Sequence, residues 1–412
     1  MPGGQRAGPR ERPTVTERAP LAIIAGVRVL SFTQFLLGPA GVQFLADLGA
    51  DVVKVEPPGG RLWERNWSGA DLFKNGVSVF FMLAHRNQRS LTLDLKHPEG
   101  RAVARRLVER ADVLVQNFRP GVMARHGLDW ETAKAINPRL IYVSASGYGE
   151  SSPYRDRPGQ DLLMQGLSGL ASISGRADQP PTAVGTAVID QHGATLLALG
   201  VLGALLERQR TGSGVHVEVS MLRAALDLQI ESATYFLNGA RLEKTETPLA
   251  STFHPPPYGI YPTRDGHLIL SMSPLAQLAE ALELPALRDL AKPGWNFESR
   301  EAVARLVEPL IRTRATAAWI ERLVPAGVWA AAVNDYAETF ADPAVQAADA
   351  VEEISHPVAG PVKLLRFPLE FSTGRAGVRL MPPGPGQHTD AILSELGYDD
   401  AAIARLRKDG AV

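Results

Sequence analysis

The stretch Gly26–Glu56, GVRVLSFTQFLLGPAGVQFLADLGADVVKVE, decides the fold. Its run GVRVLSFT has the apolar composition of a buried strand, and the Gly38-Pro39 pair turns the chain. AGVQFLADLGA then carries apolar residues at helical spacing and closes on Gly49, ahead of a second strand, DVVKVE. A strand, a helix and a strand in about thirty residues make a βαβ unit, whose parallel strands need a right-handed crossover.

The alternation continues outward from this unit. SLTLDLK (Ser90–Lys96) reads as a strand, EGRAVARRLVERA as a helix, DVLVQNF as a strand, ETAKAIN as a short helix and LIYVSASGYG as another strand. Such alternation predicts a doubly wound, Rossmann-like α/β domain with a parallel sheet. TAVGTAVID reads as a further strand or extended segment running into the apolar helix GATLLALGVLGALLERQRTG, which Gly212 stops. The texture changes near residue 240, where HPPPYGIYPTRDGHLILSM reads as a proline-rich entry to a hairpin. The expected organisation is a disordered tail over 1–20, a large domain over 21–235, a smaller α+β domain over 240–340, and a segment over 341–412 returning to the large domain.

Composition narrows the function. Lys and Arg total 43 against 44 for Asp and Glu, so no global field draws in nucleic acid or an anionic membrane surface. The absence of cysteine removes disulfides, thiolate metal sites and a Cys nucleophile, and fits a reducing, cytoplasmic setting. The nine histidines show no metal-ligand spacing, so no metal is expected. The longest apolar stretch, Ala194 to Leu206, is short for a bilayer span and is broken by glycine.

Asp190 ends TAVGTAVID and precedes the apolar helix. An Asp in that place serves as a helix N-cap, worth about 1 kcal/mol. It serves equally as an ionised carboxylate nucleophile at a helix N-terminus, attacking an activated carbonyl. The residues alone leave both readings open. His192, two positions on, reads as a helix-start polar residue or a local acid or base. Lys96, Asn117, Phe118 and Arg125 fall at or just after strand ends, where cations grip phosphates and an aromatic ring packs an adenine or pantetheine face. No G-x-G-x-x-G, P-loop or G-x-S-x-G is present.

Many of these segments, in order, resemble the family III CoA-transferases: GPAGVQFLADLGADVVKVEPPGG, NQRSLTLDLKHPEG, QNFRPGVMARHGL, NPRLIYVSASGYG, RPGQD, GTAVID, RTGSGVHVEVSM and GQHTDAILSELGY. The resemblance implies a Rossmann-like domain built from both chain ends, a small domain between them, and two chains interlocked as a homodimer. It implies a catalytic aspartate at Asp190 and contacts to coenzyme A at Leu93, Lys96, Asn117, Phe118 and Arg125, with Met221 nearby. Asp161 of RPGQD lies beside the site as a second carboxylate. Acyl-CoA and a carboxylic acid are the implied partners.

Departures from the family pattern bear on the substrate. Related racemases carry a histidine base at the position of Gln160, which has no pKa suited to proton abstraction, so transfer is favoured over racemisation. Phe35 and Leu36 follow the first strand, and Leu36 stands where formyl-CoA transferases carry a glutamine. STFHPPPYGIYP replaces their glycine-rich loop. Both differences point to an acyl group larger or more apolar than formyl or oxalyl. A racemase or isomerase, an intramolecular CoA transfer and a non-catalytic CoA-binding protein are the alternatives.

Overall fold

The computed structural model describes residues 19–291 and 297–412, so the expected tail lies outside the described residues apart from Ala19 and Pro20. The described residues divide into two compact units: one holds 19–146, 194–219 and 349–412, the other 147–193, 220–291 and 297–348.

The first unit is built on a six-stranded sheet. Its strands are β1 (Arg28–Phe32), β2 (Asp51–Glu56), β3 (Gln88–Thr92), β4 (Val113–Gln116), β5 (Ile141–Ser146) and β6 (His216–Ser220). They lie in the order β3-β2-β1-β4-β5-β6, and the four pairings that join the first five are parallel. Strand order therefore reverses between β1 and β4, which makes their carboxyl ends a ligand-binding crevice in folds of this kind. Helix α1 (Leu37–Asp47) links β1 to β2, and α2 (Pro98–Arg110) links β3 to β4. Buried Leu30, Val53, Leu91 and Leu114 from the sheet meet Val103 and Leu107 of α2 and Ile392, Leu393 and Leu406 from the chain's end. Hydrogen bonds fasten that last segment, with His388 N–H donating to Ser90 O and Asp94 N–H to Ala411 O.

The second unit has a three-stranded antiparallel sheet of β7 (Gly259–Pro262), β8 (His267–Leu270) and β9 (Ala330–Ala332), with β8 central. Its core gathers Tyr261, Leu268, Val303, Val307 and Trp319, all fully buried. Helix α3 (Asp161–Leu167) packs on α5 (Met221–Leu228) elsewhere in this unit.

Two sequence expectations change. The segment over 182–190 forms no strand: residues 181–187 are irregular, and helix α4 runs over Val188–Thr211. Gly185 interrupts the run, and Val184 N–H bonds to the Gln165 side chain instead of a sheet neighbour. The second unit also holds 147–193 and 220–235, which the sequence reading placed in the large domain. At 24 residues α4 is apolar and long enough for a bilayer by length and composition. It buries Ala194, Leu197, Val201 and Leu205 while leaving Leu199 and Leu206 exposed.

The chain leaves β5 at a glycine pair. A Cβ added to Gly159 would stand 2.5 Å from Gly147 Cα, and one added to Gly147 would stand 2.6 Å from Gly159 Cα. Gly147 O also accepts from Leu222 N–H at 3.0 Å, so this backbone cannot give way cheaply. Gly159→Ala is expected to destabilise the protein by roughly 1–3 kcal/mol, the range for overpacking. A urea midpoint equal to wild type would contradict this packing.

Candidate active site

In the second unit, the start of α4 is fixed from outside the helix. Asp161 Oδ2 accepts from Ile189 N–H at 2.7 Å and Asp190 N–H at 2.9 Å, while Oδ1 accepts from Gln165 Nε2 at 2.6 Å. Gln165 stands one helical turn beyond Asp161 on α3, and its amide oxygen takes Val184 N–H at 2.8 Å. Asp161 thus satisfies helix N–H groups that would otherwise be orphaned. The capping role considered for Asp190 falls to Asp161.

Asp190 is the third residue of α4, and no hydrogen bond among the described residues reaches its carboxylate. Burial pushes this carboxyl up to about 7, and the neighbouring Asp161 charge acts in the same direction. The two carboxylates have opposite environments, one fully bonded and one bare, and such contrast separates a structural acid from a reactive one. A carboxylate of raised basicity that keeps its lone pairs free is suited to nucleophilic attack.

His192 turns to other work. Its Nε2 lies 2.7 Å from Asp227 Oδ2 on α5, and two positions along a helix place it on a different face from Asp190. Gln160 is exposed and caps α3 in extended backbone with no side-chain cap bond. Met221, the first residue of α5, is buried in this unit.

The remaining positions lie at the carboxyl edge of the first unit's sheet. Asn117, just past β4, holds the turn after β1: its Oδ1 accepts Gln34 N–H and its Nδ2 donates to Gln34 O, both at 2.8 Å. Phe118 N–H is held by Gln116 Oε1 at 3.0 Å, and its ring packs against the core. His126 Nδ1 meets Leu95 O at 2.9 Å, joining the short helix Val122–Arg125 to the segment after β3. That bond brings the stretches bearing Lys96 and Arg125 together, and both side chains are exposed without an ion pair among the described residues. Leu93 is buried at 2% exposure, so its side chain belongs to the core and leaves only its backbone for a ligand. Phe35 is exposed with a left-handed φ of 63°, and Leu36 opens α1.

The CoA-transferase family III model matches residues 24–389. The chain belongs to this family. It is 34% identical over 395 residues to the succinyl-CoA–D-citramalate CoA-transferase of Chloroflexus aurantiacus, covering 93% of this chain and 96% of that one. The succinate–glutarate CoA-transferase of Agrobacterium fabrum is 33% identical, with 90% and 95% covered. A CaiB/BaiF family protein from Brucella suis superposes with a TM-score of 0.77 at 31% identity, covering 91% of this chain and all of that one.

As a family III CoA-transferase, this enzyme places Asp190 and Asp161 together in one unit and gathers Lys96, Asn117, Phe118 and Arg125 at one sheet edge of the other. The sequence reading missed Gln165. The Asp161–Gln165 spacing of four on a helical pattern was the available signal.

The raised Asp190 pKa has a consequence for stability. Folding disfavours the ionised form, so the stabilisation is fully present below about 4 and is lost as pH rises through about 7. Asp190→Asn is therefore expected to be more stable than wild type at pH 8, by roughly 1–3 kcal/mol at about 1.4 kcal/mol per unit with allowance for solvent access. The gap should close near pH 4. Equal denaturation midpoints at pH 8 would contradict the assignment.

Proposed function

We propose that this enzyme moves CoA from a succinyl-type thioester to a dicarboxylic acid, with Asp190 as the covalent nucleophile. The observation that carries the reading is the Asp190 carboxylate, largely buried, free of hydrogen bonds among the described residues and raised to about 7 beside an Asp161 that accepts three. The relatives supply the substrate class. Their names join succinyl-CoA or succinate to citramalate, glutarate and mesaconate, each a dicarboxylate.

Asp190 attacks the thioester carbonyl, the C–S bond breaks, and CoA leaves as thiolate with a mixed anhydride on the enzyme. The thiolate attacks the Asp190 carbonyl, freeing the donor's carboxylate and forming an aspartyl-CoA thioester. The acceptor carboxylate attacks that thioester and releases the thiolate again. Attack of the thiolate on the acceptor's acyl carbon gives the new acyl-CoA and restores Asp190. Each step exchanges one activated acyl bond for another, so water must be kept from the anhydride.

Lys96 and Arg125, exposed on joined segments, hold the anionic end of CoA through charge-assisted bonds. Gln160 supports transfer over racemisation, because an amide cannot take the α-proton.

Label exchange from succinyl-CoA into a panel of acids tests this reading. Dicarboxylates such as glutarate, mesaconate and citramalate should accept CoA well ahead of formate and acetate. Asp190→Asn should lower turnover by about 10³-fold or more, as for loss of a covalent nucleophile. Exchange into formate as fast as into any dicarboxylate, or near-wild-type turnover by Asp190→Asn, would overturn it.

A further inference from the structure

The turn after β1, residues 33–36, stands where the strand order reverses and is held from two directions. Asn117 grips Gln34 from the β4 side. From beneath, Lys54 on β2 donates from Nζ to Thr33 O at 2.8 Å. Lys54 is fully buried, and its nearest carboxylate oxygen is Glu64 Oε1 at 3.5 Å. Neither Glu64 oxygen receives a hydrogen bond among the described residues, although its side chain is fully buried. His85 Nε2, 3.9 Å from Glu64, is also without a partner there, while its Nδ1 meets Phe81 O at 2.8 Å. The neighbouring Glu56 is different: Arg65 grips it at 2.6 and 2.7 Å and Ser90 donates to it.

A buried ion pair with unmet oxygens is a weak source of stability, and an apolar pair of similar volume often does as well. What Lys54 and Glu64 supply is a joint. Lys54 holds the turn that carries Phe35, while Glu64 follows Trp63 in the helical turn Trp63–Asn66. The Phe35 and Trp63 rings lie 4.8 Å apart, and Trp63 stacks on Trp67 at 4.5 Å. These rings are 45%, 43% and 41% exposed, beside the carboxyl end of a central strand. The left-handed backbone of Phe35 is costly for a bulky side chain and persists only where the surroundings over-determine it.

We propose that Lys54 and Glu64 are positioning residues that lock these two turns together and so fix an aromatic face, Phe35, Trp63 and Trp67, against which the acyl group of the thioester packs. This rests on the reading above only in taking acyl-CoA as the substrate.

The test compares kcat/KM for succinyl-CoA and glutaryl-CoA in wild type, in Lys54→Met, and in Lys54→Met/Glu64→Gln, which removes both charges together. In the folded double variant the ratio of the two values should shift by about tenfold or more, the scale on which misplaced positioning groups act, while affinity for free CoA stays within about threefold. A purely structural role would lower both thioesters alike. A ratio within about twofold of wild type in the folded double variant overturns the proposal. So does failure of both variants to fold, which would make the pair a core-stability element. Wild type that turns over neither thioester would instead refute the transferase substrate assignment, a result separate from either outcome.

Discussion

The Asp161 carboxylate, bonded to two backbone N–H groups at the start of α4 and to the Gln165 amide, is the constraint on which the candidate site depends. It sets where the helix begins and therefore where its third residue stands. Among the described residues no hydrogen bond reaches the Asp190 carboxylate. The Asp161 charge adds to burial in raising the Asp190 pKa. Surroundings alone give one acid three hydrogen bonds and leave the other with a raised pKa.

The first unit has a sheet edge of its own. Because strand order reverses between β1 and β4, the turns after these strands face one crevice, and Asn117 ties them together. The exposed cations Lys96 and Arg125 come to that edge on segments joined by the His126–Leu95 bond. Beneath it the polar interior is unusual for a parallel sheet, whose strands are ordinarily continuous apolar runs. Lys54 and Glu56 on β2 are both buried, one reaching the turn and the other reaching Arg65 and Ser90. Charge placed there costs desolvation energy, and its return is geometric definition of the loops above it.

Much of this was legible in the sequence. The βαβ unit over Gly26–Glu56 and the strands at Val113–Gln116 and Ile141–Ser146 form where apolar runs and glycine stops place them. The stretch before Asp190, read as a strand or extended segment, is rich in β-formers but pairs with no strand: Val184 and Ile189 N–H bond to the Gln165 and Asp161 side chains. Periodicity cannot report such long-range capture. The same limit hid the division between units: the packing of Gly159 on Gly147 and of α3 on α5 are tertiary facts. The family resemblance places Leu93 among the CoA contacts; its side chain fills the core, and a strand end can present its backbone while burying its side chain. Lys54 read as part of an apolar strand, and nothing local announced a buried partner at Glu64.

The central claim is that Asp190 carries the acyl group covalently, and chemical trapping tests it most directly. Wild-type protein turning over succinyl-CoA in hydroxylamine, digested and sequenced by mass spectrometry, should carry a hydroxamate on the Asp190 side chain and none on Asp161. Continued turnover with Asp190 unmodified, or modification at Asp161 in its place, would contradict the account.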